Sequence, residues 1–101
     1  MTKRELRSSI VRAIEKNPLR KHIKKVSLFG SYANGKPKKD SDVDLLIEFS
    51  PAAKIGLFKL LDIQEHVEKF IGKKVDLLTP EAISPYFRKN VLSEAEVIYE
   101  G

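Results

Sequence analysis

Residues 43–49 read VDLLIEF, and their alternation constrains the fold more than any other stretch of the chain. Side chains of an extended strand point to opposite faces in turn. Val43, Leu45, Ile47 and Phe49 therefore share one face, and Asp44, Leu46 and Glu48 share the other. Asp42, just ahead of the strand, continues the second face. The apolar face needs a layer of helices to bury it. The acidic face does not serve a core, and two carboxylates two residues apart repel each other. A positive charge is expected between them.

The flanking sequence supplies the helices. Thr2 followed by Glu5 has the spacing of a capping box, and Leu6, Ile10, Ala13 and Ile14 recur at helical spacing. Together they predict a helix over residues 3–16, ended by Asn17-Pro18. Val26–Phe29 reads as a strand broken by Gly30. Ser31 then N-caps a short helical turn over Tyr32–Asn34, and residues 35–41 form a loop. A second amphipathic helix is expected over residues 55–71, with Leu57, Leu60, Leu61, Val67 and Phe70 as its stripe and Gly72 as its stop. Lys74–Leu78 reads as a third strand, Ser84–Ala95 as a last helix, and Glu96–Tyr99 as a short strand or docked tail. Strands alternating with helices predict an α/β sheet with crossover connections, in a single domain over residues 1–101.

On the third strand Val75 and Leu77 point one way and Asp76 the other. Ser27, Asp42, Asp44, Glu48 and Asp76 thus share the face turned away from the helices. Asp42 and Asp44 stand roughly 6–7 Å apart along an extended strand, a spacing at which their oxygens converge on a hard divalent cation. Mg²⁺ takes one or two carboxylates together with phosphate oxygens and several waters. Asp76 on the adjacent strand could bind a second ion or accept the proton of an attacking hydroxyl. Gly30 and Ser31 supply the complementary half. Glycine permits close backbone approach, and the first N–H groups of a helical turn attract phosphate. The pattern describes nucleoside triphosphate and Mg²⁺ chemistry.

Phe29-Gly30-Ser31, ten residues, then Asp42-Val43-Asp44-Leu45 resembles the GSX10DXD motif of the DNA polymerase β-type nucleotidyltransferase superfamily. Within it the chain is most similar to the minimal nucleotidyltransferases, the MntA-like antitoxins. The likeness extends through the Leu57–Phe70 helix, Gly72–Ile83 and Val91–Gly101. It implies an α/β (α+β) fold: a small mixed sheet with helices packed on one face. It implies that Asp42, Asp44 and Asp76 hold Mg²⁺, that Asp76 helps activate the acceptor, and that Gly30 and Ser31 hold the triphosphate. The implied reaction moves AMP from ATP to a hydroxyl, often a tyrosine of a HEPN-domain RNase toxin encoded alongside. The family often reads Gly-Ser-x-Ala-Arg-Gly, whereas Asn34 stands here in place of the arginine. Lys36, Lys38 or Lys39 could substitute, as point charges without the guanidinium fork. The alternative is a non-catalytic antitoxin that binds nucleotide and blocks its partner by contact.

The remaining composition narrows the setting. The 19 Lys and Arg against 14 Asp and Glu give a net charge of +5, gathered in Leu19–Lys25 and Gly35–Asp40. A basic surface of this kind suits an anionic partner, and RNA is the weaker reading beside ATP. Cysteine is absent, which removes disulfides and thiolate metal sites. No apolar run approaches a membrane span, and a cytoplasmic location is expected. Larger members of the superfamily close a second domain over the substrate. In a chain of 101 residues the acceptor is expected from a partner or from a second copy, over an apolar patch at the end of the last helix. His22, His66, Tyr32, Tyr86 and Tyr99 read as surface or packing residues. Arg88 and Lys89 read equally as solvated charges or as contacts to phosphate or a partner.

Overall fold

The computed structural model describes residues 2–33 and 42–101. The first helix, α1, spans Lys3–Glu15. Its capping box is formed: the Glu5 backbone N–H donates to Thr2 Oγ1 at 3.1 Å, and the Thr2 N–H donates to Glu5 Oε1 at 3.3 Å. Strand β1 (Ile23–Phe29) follows, then β2 (Val43–Phe49), helix α2 (Leu57–Ile71), β3 (Val75–Leu78), α3 (Pro85–Glu94) and β4 (Glu96–Glu100). The strands stand in the order β3-β2-β1-β4. β1 runs antiparallel to both β2 and β4, while β2 and β3 are parallel and joined through α2. The sheet is therefore mixed, as the family resemblance implied.

α1 and α2 pack side by side on one face of the sheet. Leu6, Ile10 and Ile14 of α1 and Ile63, Val67 and Ile71 of α2 meet Val26, Leu28, Val43, Leu45, Ile47, Val75 and Leu77 in one buried cluster. Each large apolar side chain buried there stabilises the fold by about 1.5–3 kcal/mol. The alternation of VDLLIEF is the reason the cluster forms, because Val43, Leu45 and Ile47 all point into it.

The stripe of α2 differs from its sequence reading. Leu57, Leu61 and Phe70 are exposed, and Ile63, Val67 and Ile71 take the buried line. These three, of which Val67 belonged to the expected stripe, recur every fourth residue, the line that stays over the sheet, whereas Leu57 and Leu61 fall to its side and Leu60 packs at the core margin. Strand β1 begins at Ile23, three residues earlier than expected, because buried Ile23 continues its core face. Gly72 closes α2 in the left-handed conformation at φ 71°, as a helix stop should. The second face is also less open than its alternation suggested, since Ser27 and Leu46 are buried there. α3 buries none of its residues. Tyr86 and Phe87 near its start are more exposed than Leu92 near its end, so the apolar patch expected at the helix end leans to the other end.

Candidate active site

The site lies where β1 ends and β2 begins. Phe29, the last residue of β1, is paired with Asp44 of β2. Asp44 in turn is paired directly with Asp76 of β3. The hydrogen bond from the Val43 N–H to the Lys74 carbonyl, 2.9 Å, fixes this register one step earlier. Because the two strands are parallel and in step, Asp44 and Asp76 occupy the same face at the same height. Asp42 precedes β2 and is exposed, as is Asp76, while Asp44 is half-buried. The three carboxylates singled out in the sequence thus come together at one end of the sheet.

Gly30 supplies the fourth side. It turns at φ 72°, a left-handed conformation that L side chains rarely adopt, and opens a 3-10 turn over Gly30–Tyr32. A β-carbon at this position would collide with Oδ2 of Asp44. The turn starts two residues earlier than the sequence suggested, so Ser31 lies inside it and Phe29 takes the preceding position without a side-chain cap. Ser31 is therefore the second residue of the turn, one step beyond the glycine that packs against Asp44. Tyr32 is buried in the core. Asn34 and the lysines at 36, 38 and 39 fall outside the described residues.

The electrostatics follow from the geometry. Burial holds the Asp44 carboxyl above its usual range, and the charges of Asp76 and then Asp42 raise it further. Among the described residues no three acidic or imidazole side chains converge into a ready-made metal cage. Mg²⁺ does not demand one, since it binds through one or two carboxylates and completes its shell with phosphate oxygens and water. The donors present are hard oxygens that repel one another, and they fit such an ion. Glu48 lies further along the same face and is occupied by Lys25, at 3.8 Å.

One contact near the site had no signal in the sequence. Lys3 Nζ pairs with Glu96 Oε1 at 3.0 Å and donates to the Ala33 carbonyl at 3.4 Å. It ties the start of α1 and the start of β4 to the end of the Gly30–Tyr32 turn. The partners are 30 and 93 residues away in the chain, beyond the reach of any local pattern.

A family model described as nucleotidyltransferase domain matches residues 8–98. An assigned protein adenylyltransferase of Methanocaldococcus jannaschii is 37% identical over 94 residues, covering 83% of this chain and 92% of its own. The protein adenylyltransferase MntA of Thermococcus cleftensis is 35% identical, over 76% of this chain and 74% of its own. Among solved structures, an assigned minimal nucleotidyltransferase superposes with a TM-score of 0.76 at 30% identity, over 94% of each chain. A toxin-antitoxin structure with AMP-PNP superposes with a TM-score of 0.75 at 18% identity, over 94% of this chain and 73% of that one, and so shares the fold.

Proposed function

We propose that this chain, which belongs to the nucleotidyltransferase domain family among its MntA-like members, transfers AMP from ATP to a tyrosine hydroxyl of a HEPN-domain toxin. The observation that carries the reading is the in-register pair Asp44 and Asp76, with Asp42 beside it and Gly30 packed against Asp44. Protein adenylyltransferase is the name given to its relatives, and a solved complex of a tri-AMPylated Shewanella oneidensis HEPN toxin with MNT antitoxin, which shares the fold, supports the toxin as acceptor. Exposed Tyr86, Phe87 and Leu92 on α3 offer apolar surface for contact with a partner. A setting in the cytoplasm follows from ATP as substrate. Among the described residues no helix is long and apolar enough to cross a membrane.

In this mechanism the acceptor oxygen attacks the α-phosphorus of ATP. A new P–O bond forms, the bond to the bridging oxygen breaks, and pyrophosphate leaves. The backbone of Gly30 and Ser31 holds the triphosphate, with glycine letting the chain approach its oxygens closely. Asp42 and Asp44, together with Asp76, would hold Mg²⁺, which neutralises phosphate charge when bound. Asp76, exposed and opposite Asp44, accepts the proton of the acceptor hydroxyl and passes it to water. Asp44 is the least solvated of the three, so it gains most from a neighbouring positive charge.

The test uses ATP labelled on its α-phosphate with the HEPN-domain protein purified from the same cells. Acid-stable label on that protein is expected with wild type and absent with Asp42→Asn or Asp44→Asn. Loss of toxicity in cells carrying either variant, without any label, would instead favour an antitoxin that acts by contact.

A further inference from the structure

We propose that the flank formed by α1 and the outer edge of β4 is a docking groove for an extended acidic segment of a partner protein, taken up as an additional strand beside β4. The inference is independent of nucleotide transfer, because the groove lies on the helix-bearing side of the sheet and uses none of the site residues.

β4 ends the sheet. Among the described residues it pairs with β1 alone, so the backbone groups on its outer side have no strand partner. An edge of this kind is a template for a further strand, unless charge, bulges or covering block it; β4 carries one bulge, at Ile98, with two paired residues on either side of it. Beside it runs an open groove of about 620 Å³. Val11 of α1 and Ile98 of β4 form its apolar floor, and Lys3, Arg4, Arg7 and Arg12 line its rim. Glu15 is the one acid on its wall among the described residues. Arg4, Arg7 and Arg12 are exposed and make no ion pair with any described residue.

The position of the groove fits its chemistry. α1 has α2 on one side and β4 below its other side. A strand added beyond β4 would continue the sheet under that outer flank. Every second side chain of the added strand would then rise toward α1, among the arginines. Carboxylates at those positions would meet guanidinium forks that bind them in pairs. The residues between them would face the other side of the sheet, where Val97 is exposed on β4.

A second copy of this chain is a poor occupant. Its β4 would bring one carboxylate, Glu96, to the α1 side, where Lys3 already holds it, because the register shift at Ile98 turns Glu100 to the other face; Arg4, Arg7 and Arg12 would stay unmatched. RNA would satisfy the arginines and leave the strand edge unused, so the edge favours a peptide.

The experiment uses the full chain and three fluorescent probes: a short peptide alternating Glu and Val, its Lys-Val counterpart, and a uridine oligonucleotide. The Glu-Val peptide is expected to bind in low salt, and the Lys-Val peptide is not. The variant Arg4→Gln/Arg7→Gln/Arg12→Gln should weaken binding at least about tenfold with an unchanged unfolding midpoint, since all three side chains are exposed. Amide hydrogen exchange over residues 96–100 should slow when the peptide is bound, a protection that charge attraction alone does not give. Failure of the Glu-Val peptide to bind, binding indifferent to the arginines, unprotected β4 amides, or tighter binding of the oligonucleotide would each overturn the proposal.

Discussion

Gly30 lies so close to Asp44 that a β-carbon on the glycine would run into Oδ2 and approach Cγ to 3.1 Å. The carboxylate has its space because no side chain stands on the neighbouring strand end. The same glycine carries a φ of 72°, so backbone freedom and clearance are both required at one position.

Gly72 provides the control for this pair. Its φ is 71°, yet a β-carbon there would meet nothing within 4 Å. Gly72→Ala should cost about 1–2 kcal/mol of stability through the left-handed backbone alone, and spare transfer. Gly30→Ala should cost at least as much in denaturant unfolding and also abolish labelling of the acceptor. Equal effects of the two substitutions on activity would show that clearance at Asp44 is unimportant.

Asp44 makes the metal-free protein sensitive to pH, and the sign is opposite to that of a salt-bridged carboxylate. Its carboxyl is raised by burial first, then by Asp76 and Asp42. The folded state therefore keeps the proton at pH values where the unfolded chain has released it. Stability from this group is lost as pH rises from the ordinary carboxylate value through the raised folded value. Asp44→Asn should raise the unfolding midpoint at neutral pH, with the gain shrinking toward acid. A midpoint lower than wild type at neutral pH would show that charge repulsion does not govern this position.

Asp76→Asn separates proton transfer from binding. If Asp76 takes the proton of the acceptor, turnover should fall by about 10²–10⁴-fold with ATP affinity changed far less. Asp42→Asn should instead weaken metal binding, so that labelling is lost at ordinary Mg²⁺ and any residual single-turnover rate rises with added Mg²⁺. Single-turnover rates and nucleotide binding, measured on both variants across a Mg²⁺ series, distinguish these roles. Matching profiles for the two would remove the division of labour.

The corrected stripe of α2 is open to a direct stability test. Ile63→Ala empties a fully buried position and should cost about 2–5 kcal/mol. Leu57→Ala, at 66% exposure, should change stability by no more than about 0.5 kcal/mol. Urea unfolding of both reports whether the helix is rotated as described.

Much of the site was legible in the chain because its parts are local. Asp42 and Asp44 reveal their common face through a period of two, and the stretch 43–49 was recovered to the residue. Asp76 was placed on the acidic face by the same alternation, and the parallel register then set it opposite Asp44. The rotation of α2 was not legible. Val67 was in the expected stripe, but leucines on both flanks of the helix satisfy a helical stripe equally well, and only the sheet below selects Ile63 and Ile71 beside it. The burial of Ser27 and Leu46 escaped for the same reason, being a property of what passes over the sheet. The contact of Lys3 with Ala33 and Glu96 depends wholly on tertiary closure.

The pairing of β1 with β4 has a consequence for the order of assembly. Val26 is matched with Tyr99, and Lys3 reaches Glu96, so the first and last parts of the fold complete each other. Contacts of such long sequence separation form slowly, after loop closure across nearly the whole chain. During synthesis, which proceeds from the N-terminus, β1 has β2 on one side and waits on the other until residue 100 has been made. A ribosome stalled short of that point would present β1 with an open edge, a template for pairing with other chains.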